Sequence, residues 1–190
     1  MKSIDWTRYS NDTTKIYLSC LHIQELNWEG CPENLTEIDL SYNKIQEINW
    51  EDCPKTLTKI DLSYNKIQEM NLENCPYSLT KIDLNYNRIK EINWKGCPEN
   101  LTSIDLSFNG IKELNWEGCP KTLTNIWLRD NKIQVINWEG CPENLEIIAL
   151  SDNKIQEINN SFNPANNPST FAPVIVIFDD GVILEIPLPV

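Results

Sequence analysis

Six tryptophans and six cysteines recur at one fixed interval along the chain. Trp6, Trp28, Trp50, Trp94, Trp116 and Trp138 keep a 22-residue step with Leu72 filling the single gap, and Cys31, Cys53, Cys75, Cys97, Cys119 and Cys141 keep the same step. Spacing this strict across most of 190 residues excludes a packing of unlike elements. It demands a stack of equivalent units, each burying its open edges against its neighbours.

In one unit, read from Leu35, the apolar residues Leu35, Ile38, Leu40, Ile45, Ile48, Trp50 and Cys53 fall two to five positions apart. That spacing is neither a helical 3.6 nor a sustained strand period of two, so the chain must turn repeatedly to aim them all inward. Alternation around Ile38 and Leu40 predicts a short strand over 37–41. The Asn-Trp-Glu-x-Cys-Pro stretch is too short and too Pro-broken for a helix, which leaves extended or 3₁₀ structure for the opposite side.

The unit's first eleven residues, L-x-x-I-x-L-x-x-N-x-I, resemble the leucine-rich-repeat family in its short 22-residue form, and the pattern holds register from about residue 4 to 158. The resemblance implies an α/β-type solenoid that is here mostly β, with short parallel strands on a concave face. Strands beginning near Thr14, Thr36, Thr58, Thr80, Thr102, Thr124 and Glu146 give seven coils. The first coil is atypical, with Leu21 at the asparagine position and Tyr17 at the aspartate position, as an N-terminal cap would be. Asn43, Asn65, Asn87, Asn109, Asn131 and Asn153 occupy the family's asparagine position, where a side-chain amide satisfies backbone groups buried between coils.

Register fails after the solenoid, which is assigned 1–158. Three prolines among Asn, Ser and Ala make 159–173 an irregular connection. Apolar runs at 174–178 and 182–186, flanking Asp179-Asp180-Gly181, predict a β-hairpin within 174–190. Its expected task is to cover the last coil's open edge, since bare strand edges invite aggregation. A dimer contact through the same hairpin is the alternative to a monomer.

A formal net charge of -12 argues against nucleic acid, whose phosphates require clustered Lys and Arg. The N-terminus has no apolar run behind Lys2, so neither a signal peptide nor a membrane span is expected. The reading is a cytoplasmic protein, inside a host cell where the source is a virus or an effector-secreting bacterium.

The cysteine column reads as reduced core, because buried thiols pack as small hydrophobes. Zinc is not expected: no C-x₂-C pair exists and His22 is the single histidine,. Cys20 and His22 lack a third group to orient them as a nucleophile pair. The stripe Glu25, Glu47, Glu69, Glu91, Glu113 and Glu157 and the cations at Lys44, Lys66, Arg88, Lys132 and Lys154 largely offset each other as solvated flanks. No catalytic residue, cofactor site or metal site is assigned, and the chain is read as a non-enzyme.

The strand face offers more. Asp39, Asp61, Asp83 and Asp105 form one outward column, an unfavourable stack of like charges. Beside it run Tyr42, Tyr64, Tyr86 and Phe108. Acidic and aromatic together suit Lys- or Arg-bearing segments of a protein partner, although stacked rings would also stiffen the solenoid edge. Ser41, Ser63, Asn85 and Ser107 flank the aspartates, and in the coil from Leu123 the three columns change to Trp127, Arg129 and Asp130 while the inward residues keep the consensus. Trp and Arg are enriched in binding hot spots. Two uses are therefore open for Trp127: a protein-binding residue, or a ring covered by 160–173.

Overall fold

In the computed structural model, which describes residues 3–159, 174–178 and 183–186, seven three-residue strands stack in parallel, one per coil. They are β1 (Lys15–Tyr17), β2 (Glu37–Asp39), β3 (Lys59–Asp61), β4 (Lys81–Asp83), β5 (Ser103–Asp105), β7 (Asn125–Trp127) and β9 (Ile147–Ala149), with β6 (Glu113–Leu114), β8 (Val135–Asn137) and β10 (Glu157–Asn159) on another flank. β11 (Val174–Ile177) and β12 (Ile183–Ile186) follow. One sheet runs β1-β2-β3-β4-β5-β7-β9-β11-β12 and a second β10-β8-β6.

Each strand of the seven buries its central isoleucine, from Ile16 to Ile148, and leaves its flanking residues at least partly exposed except for Ala149 in β9, which is buried. Pairing is in register from coil to coil: Ile38 with Ile60, Ile60 with Ile82. The strands are shorter than the expected 37–41 and begin one residue after the repeated threonines. The reason is local. Thr36, Thr58, Thr80, Thr102 and Thr124 each donate Oγ1–H to the threonine carbonyl one coil back, and beyond the strand the backbone turns left-handed at Tyr42, Tyr64, Tyr86 and Phe108.

The asparagine column holds the coils together. Asn43 Nδ2 donates to the carbonyls of Leu18, Leu40 and Ser41, while its Oδ1 accepts the N–H groups of Leu21 and Ile23. Asn65, Asn87, Asn109, Asn131 and Asn153 repeat the pattern. Buried carbonyls that no strand can pair are thus satisfied by one side chain per coil. The tryptophans act similarly: Nε1–H of Trp6, Trp28, Trp50, Trp94 and Trp116 donates to the asparagine carbonyl of the following coil. The Trp138 N–H is buried and finds no acceptor among the described residues.

On the far side the backbone takes the extended alternative of the two expected. Among the described residues 3₁₀ structure occurs only at Trp6–Arg8. Each of the first six coils instead reverses through two tight turns, closed at the end of the first coil by Cys31 N–H to the Trp28 carbonyl and Leu35 N–H to the Pro32 carbonyl. The third residue of the first turn takes positive φ, +81° at Gly30 and +74° at Gly96, the conformation a type II turn gives glycine. At Gly96 an added Cβ would also lie 2.7 Å from Glu73 Cα.

This corner explains the cysteines. All seven are free thiols, but Cys31 and Cys53 alone are fully buried; Cys75, Cys97, Cys119 and Cys141 are half-buried against the core and Cys20 is exposed. The expectation of six fully buried thiols is therefore revised, because the column sits at the turn rather than inside the coil. Burial pushes the Cys31 and Cys141 thiols up to about 12 and Cys75 to about 11, so thiolate chemistry is suppressed along the column.

β11 pairs parallel with β9 and antiparallel with β12, extending the main sheet beyond the last coil. Val176 is wholly buried there. The connection expected over 159–173 lies, beyond Asn159, outside the described residues, as does the turn at 179–181.

Candidate functional site

Along the sheet face, strand register places Tyr17, Asp39, Asp61, Asp83, Asp105, Trp127 and Ala149 in one row perpendicular to the strands. The spacing between parallel strands sets its members about 4.8 Å apart. Four carboxylates therefore stand between two aromatic side chains. The aspartates are half-buried, and each gives one oxygen to the backbone: Oδ1 of Asp39, Asp61, Asp83 and Asp105 accepts the N–H two residues on. These Asx turns end the strands and give the column a structural use that its outward position concealed.

Electrostatic strain is concentrated in the middle of the row. Burial, then the adjacent Asp105 and Asp61 carboxylates, push Asp83 from 3.8 up to about 7 against the opposing bond from Asn85 N–H. A carboxyl raised in the folded state binds protons there that the unfolded chain has released, so its contribution to stability is present at low pH and lost as pH rises from about 4 through about 7. A carboxamide at this position would keep the acceptor oxygen without the charge. Asp83→Asn is accordingly expected to raise the unfolding free energy measured by urea titration near pH 8, by about 1–2 kcal/mol once solvent screening is allowed for, and to change it little near pH 4. An equal effect at both values would locate the strain elsewhere.

The second row is a continuous stack. Ring centroids of Tyr42, Tyr64, Tyr86 and Phe108 follow at 4.1, 4.1 and 4.0 Å with interplanar angles of 9°, 12° and 10°. All four residues hold positive φ, between 51° and 54°, a costly conformation for a bulky side chain. Contact of each ring with its neighbours offsets that cost. Desolvation, with the Tyr42 and Tyr86 hydroxyls beside it, pushes the Tyr64 phenol above its ordinary value.

Arg129 ends the stack: its Cζ lies 5.8 Å from the Phe108 ring centroid, and its Nε donates to Asp152 Oδ2 at 2.9 Å. Arg129 thus joins the aromatic row rather than extending freely beside Trp127. Asp130 occupies the next ring position, exposed and at φ 53°, and Trp127 is half-buried between Asp105 and Ala149. Whether 160–173 meet Trp127 concerns residues outside those described.

The flanking charges stay apart: among the described residues the ion pairs are Arg8–Asp5, Lys15–Glu37, Lys95–Glu73 and Arg129–Asp152. None joins the Glu47 stripe to the Lys44 stripe. No group of three His, Cys, Asp or Glu among the described residues could hold a metal ion, and no helix there is long and apolar enough to cross a membrane.

A Leucine Rich Repeat family profile matches residues 34–55, and a second such profile matches 53–68 and 98–112. No curated protein matches the sequence. The fold is similar to the leucine-rich repeat domain of APL1B, at TM-score 0.64 and 17% identity over 75% of this chain and 44% of that one. It is similar to the functional domain of InlJ from Listeria monocytogenes, which includes a cysteine ladder, at TM-score 0.61 and 22% identity over 93% of this chain and 40% of that one. A Shigella effector LRR domain matches at TM-score 0.59 and 21% identity, over 88% of this chain and 82% of that one. The chain spans less than half the length of the first two, and likeness at these identities concerns the fold.

Proposed function

Because the chain is a leucine-rich repeat protein, of a fold that commonly serves protein interaction, we propose that it is a non-enzymatic recognition module whose sheet face takes a protein partner carrying a basic segment. The observation that carries this reading is the row from Tyr17 to Trp127, four carboxylates between two aromatics, in which the charge strain at Asp83 serves no packing need. A Lys- or Arg-bearing segment laid across the row would relieve that strain and bury aromatic surface together. The net charge of -12 would steer such a segment toward the face. A cytoplasmic setting, away from nucleic acid and membrane, is part of the same reading.

The test is affinity capture from host lysate with wild type and Trp127→Ala in parallel. Removal of a hot-spot tryptophan is expected to weaken the captured partner by about 2 kcal/mol, roughly thirtyfold, with thermal stability nearly intact. A lowered melting temperature with capture unchanged would make Trp127 a packing residue and shift the binding role to Asp39, Asp61, Asp83 and Asp105.

A second reading is structural self-assembly. It is favoured by the sheet order, in which β1 and β12 are the terminal strands among the described residues and could pair edge to edge with further copies. Sedimentation across a concentration series separates the two, since a recognition module remains monomeric without its partner.

A further inference from the structure

The aromatic stack has two ends, and they are not alike. At one, Phe108 is covered by the guanidinium of Arg129, held in place by Asp152. At the other, the position one coil before Tyr42 is Cys20. Its backbone is already set as in the ring-bearing coils, with φ 60° against 54° at Tyr42, and its N–H donates to the Ser41 carbonyl as Tyr42 N–H donates to that of Ser63. The coil thus presents the rung without the ring. The thiol is free and exposed, and Tyr42 is 52% exposed where Tyr86, within the stack, is 38% exposed. Two more exposed apolar side chains, Tyr17 and Leu21, belong to the same coil as Cys20.

We propose that this open end is a subsite for an arginine side chain of the protein partner, lying flat on the Tyr42 ring in the place a fifth ring would hold. The proposal rests on the reading of the sheet face as a binding surface and sharpens it to one position and one side chain. The chain supplies its own precedent, since Arg129 already closes the opposite end of the same stack. A guanidinium is planar and weakly hydrated and stacks on aromatic faces, whereas a lysine ammonium is a compact, strongly hydrated point charge. Asp39 begins the carboxylate row beside Tyr17, so the cation would meet favourable charge as well as a ring face. Cys20 leaves the slot open because its side chain is too small to cover the ring.

The experiment compares fluorescein-labelled penta-arginine and penta-lysine peptides by anisotropy. Wild type is expected to favour the arginine peptide by about threefold to fivefold. Cys20→Met, whose flexible side chain covers the Tyr42 ring without offering a new ring face, should abolish that preference. Tyr42→Ala, which removes the end ring, should weaken the preference as well. Alkylating folded wild type at the exposed Cys20 with N-ethylmaleimide, which adds no ring face of aromatic character, fills the slot without relying on the folding of a variant and should have the same effect as Cys20→Met. Equal binding of the two peptides by wild type, or a preference that survives both Cys20→Met and alkylation, overturns the subsite. Failure of the broader reading looks different: partner capture becomes indifferent both to Trp127→Ala and to Asp61→Asn while the arginine preference still disappears with Cys20→Met.

Discussion

Asn65→Ala is expected to destabilise the protein by about 3–5 kcal/mol and to separate its melting into two transitions. In the folded chain Asn65 Nδ2 donates to the carbonyls of Leu40, Leu62 and Ser63 at 3.0, 3.1 and 3.1 Å, and Oδ1 accepts Ile45 N–H at 2.9 Å. Alanine leaves several backbone groups without partners in a region where the asparagine itself is 8% exposed. Each buried orphan costs about 1–3 kcal/mol. The loss falls between the second and third coils, and in a one-dimensional stack a weakened junction lets the two sides melt separately. Asn65→Asp makes the comparison sharper, because it keeps the acceptor for Ile45 but loses the amide donor. Calorimetry should show both variants well below wild type, with two resolvable transitions for alanine. A shift under about 1 kcal/mol, the net worth of a single replaceable hydrogen bond, would mean that water or a shifted backbone replaces the amide.

How much of this could be read in the sequence follows from how many times each position is repeated. The inward residues are fixed by the same geometric demand in every coil, so Ile38, Leu40, Asn43 and Ile45 announce a strand, a turn and a buried amide before any coordinate is known. The tryptophan column was visible as a period, but its N–H bonds to the next coil's asparagine carbonyl were not, because they depend on the exact stacking distance. The aromatic row hid its most unusual property. Nothing in Ser-Tyr-Asn signals a left-handed tyrosine, a conformation ordinarily left to Gly, Asn or Asp; the one available hint was aspartate at positions 130 and 152 of the same column. Arg129 read as an outward hot spot because sequence spacing gives no sign that the side chain folds back onto Phe108. The aspartates read as pure repulsion because the Asx bond to the residue two positions on, although predictable from Asp-x-Ser, competes with the strand expected there.

Truncation after Asn159 is expected to lower the melting temperature by about 10–20 °C and to produce aggregation. The seventh coil ends the repeat, and on its outer side β11 supplies the sheet pairing that an eighth coil would otherwise provide. Leu150 N–H donates to the Ile177 carbonyl and Ile175 N–H to the Glu146 carbonyl, both at 2.8 Å. Val176, 0% exposed, pairs with Ile148 at 0%. Burying a valine of this kind contributes about 1.5–3 kcal/mol, and exposing Ile148 and Leu150 costs a similar amount again. For a chain of this length each kcal/mol moves the melting temperature by about 2–4 °C. The uncovered edge of β9 would then present unpaired backbone beside apolar side chains, the arrangement that templates strand addition between molecules. Val176→Asp in the untruncated chain checks the same seam without deletion, by placing a carboxylate with no partner against Ile148. Both changes should promote light scattering on heating. Were the truncated protein to stay monomeric with an unchanged melt, the hairpin would be an appendage and the seventh coil self-sufficient, a result at odds with the obligatory stacking on which the rest of the solenoid depends.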